Sequence, residues 1–358
     1  MVILAPGRIC LFGEHQDYFG LSIIAMAINR EFTIESKPIP KHELIIHRPD
    51  IGKEDKIPLQ PNIPYVEERD YVRAGINIFF RQGYPIKNGY EFTFKSTIPF
   101  QAGCSSSSAM CVAWAKTLAE ITNHPKKNDT KWIAHRAFEM EVLEFKEAGG
   151  MMDHYTSSFG NIIYINFEKK DPKFDLLDIP LTGFVLGDTL AKKETLQTLK
   201  TNKKLVFEAC DLLQKKIKNF SIQKTSLEEV NPHLKNINKE EVRRLKATLI
   251  NRDICKLAYG LLKKNKWSPK SIGEMFNEQH KAIRDLLKLS TEKIESMIEA
   301  SLKAGALGCK VNGSGGGGTF IAYAPGCEEK VIEAILKLGG QAFRVSQAIG
   351  VHRKDLSP

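Results

Sequence analysis

The chain has 358 residues, 42% of them apolar and 26% charged, with a formal net charge of +10. That length supports two domains around a sizeable core, and no run approaches the roughly 20 apolar residues a membrane span needs. The lysines are spread, densest between 192 and 270 and without interleaved aromatics, which reads as a solvated basic face or a site for anionic nucleotides and not as a nucleic-acid track.

The N-terminal MVILAPGR has no basic leader ahead of a long apolar core, so no signal peptide is expected. Residues 7–20, GRICLFGEHQDYFG, read as a buried strand ending in a turn, yet they set Arg8, Glu14, His15 and Asp17 among Ile9, Leu11, Phe12, Tyr18 and Phe19. EFTIES, HELIIHR and GYEFTFKST carry the β-branched, period-two look of strands. PFQAGCSSSSAM (99–110) then offers small residues whose N–H groups can turn toward a ligand, at the start of the helical run SAMCVAWAKTLAEIT. A helix N-terminus is an anion site, most often for phosphate, although a plain capped helix explains a serine cluster as well. Neither a Walker pattern nor a dinucleotide fingerprint is present.

KWIAHRAFEMEVLEF reads as a further helix, and EAGGMMDHYTSSFGN (147–161) places Asp153 behind two glycines in apolar company. Such a carboxylate is a helix cap, a paired group or a functional one. From roughly 195 to 304 the pattern is helical and lysine-rich. CKVNGSGGGGTFIAYA then gives strand, glycine loop and strand, CEEKVIEAILKLGG a helix, and AFRVSQAI a last strand. The loop NGSGGGG (312–318) is too glycine-dense for an ordinary hairpin, which points to a close backbone or ligand approach. Strands and helices mixed in both halves predict an α+β protein of two domains, 1–180 and 181–358, meeting near 175–190. Seven scattered cysteines, 10, 104, 111, 210, 255, 309 and 327, show no metal spacing and read as reduced thiols of a cytoplasmic protein.

APGRICLFGEHQDY, PFQAGCSSSSA, GGMMD and NGSGGGGTF, in that order, resemble the motifs of the GHMP small-molecule kinases, and the opening one resembles the galactokinase branch. GEMFNEQHKAIRDLLKLSTEKIESMIEASLKAGALG (273–308) resembles that branch's helical stretch, so the likeness spans essentially the whole chain. It implies a ribosomal-protein-S5-like α/β N-terminal domain with a left-handed crossover, a ferredoxin-like C-terminal domain, and a site in the cleft between them. It further implies ATP and Mg²⁺ as cofactors and a small-molecule sugar as substrate, with no nucleic-acid or membrane partner, in a monomer or homodimer.

By that resemblance Arg8 and Asp153 are catalytic, and Glu14, His15 and Asp17 hold sugar hydroxyls. Gly103, Ser105, Ser106, Ser107 and Ser108 would cradle phosphates, with Gly313, Gly315 and Gly317 closing over them. Ser107 would help hold Mg²⁺. The second ligand is expected to be Glu141, on a helical stripe with Ile133 and Ala137; Glu139 competes, but lies near Arg136, where a structural ion pair is the plainer reading. The chain departs from the family at Gln101 in the phosphate loop, Gly316 in the last motif and Gln279 before His280. A mevalonate-type kinase and a catalytically silent sugar sensor stand as alternatives. Asp17 opposes the first because it would repel a carboxylate substrate, and intact Arg8 and Asp153 oppose the second.

Overall fold

The computed structural model describes residues 1–99, 103–169, 171–191 and 195–354, the side chains of 195–199 excepted. Its first strand, β1 (Val2–Phe12), is buried almost throughout, as a continuous apolar run demands of a strand covered on both faces. β2 (Ile23–Ile39) pairs antiparallel along it and is much longer than EFTIES alone predicts. β3 (Glu43–Arg48), β4 (Lys53–Pro58), helix α1 (Tyr71–Arg81) and β5 (Gly89–Ser96) follow. Next come α2 (Ser106–Ile121), α3 (Thr130–Phe138), α4 (Met152–Phe159), β6 (Ile162–Asn166) and β7 (Lys173–Leu177). The second half holds β8 (Phe184–Asp188), α5 (Thr195–Gln214), α6 (Leu227–Val230), α7 (Lys239–Lys263), α8 (Pro269–Lys281) and α9 (Glu292–Lys303). It closes with β9 (Gly308–Val311), β10 (Thr319–Tyr323), α10 (Glu328–Lys337), β11 (Gln341–Val345) and β12 (His352–Lys354).

Two sheets result. The first runs β12-β1-β2-β5-β3-β4, with β6 on the remaining part of β2 and β7 outside it; only β3 and β5 are parallel. Helices α2 and α4 pack on β1 and β2, and Trp114 of α2, fully buried, meets Phe92 and Phe94 of β5 edge-on or tilted. Truncating that indole to alanine would cost about 3–5 kcal/mol. The second sheet is antiparallel in the order β11-β8-β10-β9. With helices between β8 and β9 and between β10 and β11, that is the ferredoxin-like order expected. The chain crosses from one sheet to the other over 178–183.

Two local readings need correction. The α-helical geometry of the run 131–145 ends at Phe138 and continues as a π-helical turn over Glu139–Leu143. AFRVSQAI is not the last strand either. β12 returns to the first sheet and pairs with Val2–Leu4, a strand of three residues, His-Arg-Lys, that exists only because β1 offers a free edge. Phe19 and Leu21, just beyond the first motif, pack among Val206, Ala209, Leu245 and Leu249 of α5 and α7, so the lysine-rich helices shelter the turn that the motif ends in. Among the described residues no helix is long and apolar enough to cross a membrane.

Candidate active site

A cavity of about 900 Å³ opens between the two halves, lined from both. β1 delivers Arg8 into it. The Arg8 side chain is nearly buried, and its Nε donates to Asp153 Oδ1 at 2.7 Å while Nη1 donates to Gly103 O at 2.6 Å. Asp153 sits in the first turn of α4, where the helix dipole favours a carboxylate, and also accepts from the Ser105 hydroxyl at 2.5 Å. Burial alone would raise the Asp153 carboxyl. The Arg8 charge, its hydrogen bond and the Ser105 hydroxyl outweigh burial and hold it below the usual carboxylate value.

Beyond β1 the chain turns sharply, with His15 in the left-handed region at φ 60°. Asp17 Oδ2 accepts from the Met152 N–H at 3.2 Å, which brings the turn against the start of α4. Burial, then the charge of Asp153, pushes the Asp17 carboxyl up to about 6. Glu14 lines the cavity but gives Oε2 to the fully buried Lys310 of β9, 3.0 Å away. His15 Nδ1 lies 3.3 Å from the Tyr18 hydroxyl, which accepts from Asn202 Nδ2 at 2.8 Å, and the buried ring also meets the Gly313 backbone. Burial lowers the His15 pKa, favouring a neutral ring.

The serine cluster begins α2. Ser105, in the left-handed conformation, precedes the helix, and Gly103 and Ser105–Ser108 all line the cavity. The hydroxyls divide their work: Ser105 is spent on Asp153, while Ser107 and Ser108 bond to Glu141. Glu141 Oε2 also lies 2.7 Å from His154 Nε2. These contacts outweigh burial and hold the Glu141 carboxyl below its ordinary value. Glu139 lies outside the cavity lining and pairs with Arg136 at 2.5 Å. From the glycine loop, Gly313 and Ser314 reach the cavity, whereas Gly315 and Gly317 do not: Gly315 abuts Leu289, and the next N–H, Gly316, donates to Leu289 O at 2.8 Å. Gln101 lies outside the described residues.

Sequence reading missed the rest of the lining. Phe32, Phe94 and Met110 form an apolar stretch, bordered by Arg48, Asp50 and an Arg69–Glu147 pair at 2.7 Å. They come from separate strands, loops and the first turns of α2, so no local pattern announces them together. His154 was legible only as the neighbour of Asp153. Among the described residues no group of three or more His, Cys, Asp or Glu could hold a metal. Ser107 and Glu141 nonetheless offer one hydroxyl and one ionised carboxylate, a donor set suited to a magnesium ion that keeps water and shares phosphate oxygens.

Three family models match. Residues 1–38 fit the galactokinase galactose-binding signature, 70–161 the GHMP kinases N terminal domain and 268–341 the GHMP kinases C terminal domain. The chain is a GHMP kinase. Mevalonate kinase of Pyrococcus furiosus is 27% identical over 95% of this GHMP kinase and 94% of its own length. Galactokinase of Thermotoga petrophila is also 27% identical, over 94% and 93%. Among solved structures, Lactococcus lactis galactokinase complexed with galactose superposes with a TM-score of 0.86 at 20% identity, covering 98% of this chain and 94% of that one. Methanococcus jannaschii mevalonate kinase superposes at 0.74, also with 20% identity, over 97% and 98%. The fold is thus common to both groups. The protein is a kinase that transfers a phosphoryl group from ATP.

Proposed function

We propose that this GHMP kinase is a sugar-1-kinase: it transfers the γ-phosphoryl group of ATP to the anomeric hydroxyl of a neutral monosaccharide, D-galactose or a close epimer. The observation that carries this reading is the second carboxylate, Asp17, near enough to Asp153 for their charges to interact, in a cavity that Glu14 also lines. Carboxylates accept from hydroxyls and repel an acid. The arginines of the lining are Arg8, Arg48 and Arg69; Arg8 is committed to Asp153 and Arg69 to Glu147, whereas Arg48, at the end of β3, keeps a buried Nε without a hydrogen-bond partner. A substrate carboxylate held at Glu14 and Asp17 would meet two carboxylates, with the nearby Arg8 already paired to Asp153.

In this mechanism the phosphates of ATP lie against Gly103 and Ser106–Ser108, where the N-terminal N–H groups and dipole of α2 meet their charge. Asp17 and Glu14 orient the sugar. Asp153, held ionised by Arg8, takes or orients the proton of the anomeric hydroxyl as it attacks phosphorus, and Arg8 neutralises charge on the moving phosphoryl group. Magnesium, held by Ser107 and Glu141, would supply charge neutralisation on the nucleotide phosphates.

The second reading, a mevalonate kinase, draws on relatives of equal identity. An ATP-turnover screen over free sugars plus mevalonate separates the two. Sugar-dependent ADP release supports the proposal; release with mevalonate alone, or sugar binding without turnover, overturns it.

A further inference from the structure

We infer that Lys310, with Asn312 and Gln279, positions the acceptor-binding turn from the opposite half of the molecule, and that Lys310 decides which oxygen of Glu14 faces the substrate. This deepens the proposed function and rests on its placement of the acceptor at Glu14 and Asp17.

β12 pairs only with Val2–Leu4; further along that edge of β1 Arg8 N donates to Cys104 O at 3.1 Å, and among the described residues no strand pairs there. Pairing with β2 also slips between Cys10 and Phe12. The main-chain groups at the end of β1 would therefore be buried without partners, which folded proteins rarely tolerate. Side chains of the second half meet them. Lys310 Nζ donates to Cys10 O at 2.8 Å, and Asn312 Oδ1 accepts from Cys10 N at 3.0 Å. Lys310 and Asn312 are two residues apart, the spacing that puts side chains on one face of an extended chain. In the amide orientation that satisfies both its ends, Gln279 donates to Leu11 O at 3.2 Å and accepts from Gly13 N at 2.9 Å. Asn312 Nδ2 additionally donates to Gly103 O at 3.1 Å, the same carbonyl that Arg8 uses. One cluster thus ties the acceptor turn to the phosphate loop. The serine-to-glutamine departure at 279 acquires a task by it: the two ends of the amide engage a carbonyl and an N–H two residues apart.

Lys310 is fully buried, and its three ammonium hydrogens are matched by three acceptors: Cys10 O, Val311 O at 3.0 Å and Glu14 Oε2 at 3.0 Å. It has no donor left for a substrate, so it acts through Glu14. With Oε2 engaged, Oε1 is the oxygen that Glu14 can offer to a hydroxyl. Stability does not account for the pair, since a buried ion pair is often replaceable by apolar side chains without loss. Orientation of a carboxylate in a hydroxyl-reading site does account for it.

The test compares Lys310→Met, Glu14→Gln and the double variant, by steady-state kinetics with D-galactose and ATP and by thermal melting. Lys310→Met is expected to raise the KM for galactose roughly 10- to 100-fold, the range for groups that orient a ligand-holding side chain, with the KM for ATP nearly unchanged. Because Lys310 reaches the substrate through Glu14, the double variant should exceed Glu14→Gln in galactose KM only by the smaller share that the lost bond to Cys10 O contributes, well short of the product of the two single effects. It should also melt above Lys310→Met, since no buried charge is left unpaired. Effects on the galactose KM that multiply in the double variant, or equal rises in both KM values, overturn the inference. Should Lys310→Met fail to fold, the double variant against Glu14→Gln decides alone. If wild-type enzyme turns over mevalonate and no sugar, the sugar reading fails at that step, and the same comparison, run with mevalonate, still judges Lys310.

Discussion

Arg8 and Asp153 meet at 2.7 Å although 145 residues separate them, and the Ser105 hydroxyl closes on the other Asp153 oxygen. The contact joins β1 to the first turn of α4, with the start of α2 beside both. It supplies a carboxylate held below its usual value beside a cation, the pair to which the proposed mechanism gives proton acceptance and charge neutralisation.

Asp153→Asn removes the proton acceptor and the charge with almost no change in volume. Turnover should fall close to zero while ATP affinity, measured by calorimetry, stays within a few-fold of wild type. An undiminished kcat would remove Asp153 from the mechanism.

Arg8→Ala leaves Asp153 without its cation and Gly103 O with Asn312 Nδ2 as its remaining side-chain donor. A drop in kcat of at least ~10²-fold is expected, as for other lost electrostatic stabilisers. A variant that changed only the KM for ATP would assign Arg8 to nucleotide binding instead.

Asp17 carries a pH signature. Its carboxyl rises from 3.8 to about 6 in the folded protein, chiefly through burial and then through Asp153. The native state therefore holds this proton more tightly than the unfolded chain. The associated stability is present below about pH 4 and lost as pH climbs through about 6, at most ~3 kcal/mol in all. Asp17→Asn should melt above wild type at pH 8, and the gap should close toward pH 4. The same variant should raise the KM for the sugar far more than for ATP. Parallel melting profiles for the two proteins would refute the account.

Glu141→Gln and Glu139→Gln separate the two candidate metal ligands. The first should raise the Mg²⁺ concentration for half-maximal turnover by ~10-fold or more. The second disturbs only the pair with Arg136 and should leave it unchanged. The reverse result would move the metal to Glu139.

Gly313→Ala and Gly316→Ala contrast two glycines of the same loop, both with positive φ, 77° and 72°. A methyl on Gly313 would lie 2.7 Å from Gly103 O, whereas at Gly316 it would meet open space. Gly316→Ala should cost only the ~1 kcal/mol of a strained backbone. Gly313→Ala should in addition push the phosphate loop away and raise the KM for ATP. Equal effects on that KM would show that contact with Gly103 is immaterial.

Arg8, the Glu14–Asp17 turn, the serine cluster and Asp153 were legible in the sequence because each is a short, chemically odd run whose residues act where they stand. The same holds for most strands and helices, whose periodicity is local. The return of β12 and the identity of the groups around Glu14 were not. Lys310 reads as one lysine in a strand, and nothing beside it in the chain announces a carboxylate 296 residues away. Gly315 and Gly317 looked equivalent to Gly313 by spacing, yet the loop's turn sends only Gly313 and Ser314 into the cavity. Sequence alone determined which chemistry is present: a guanidinium, several carboxylates and a helix start rich in hydroxyls. Only the tertiary structure decided which of these are already satisfied by one another. A buried polar group's availability depends on partners that the fold brings from distant segments, and pairing across two halves leaves no periodic trace in either.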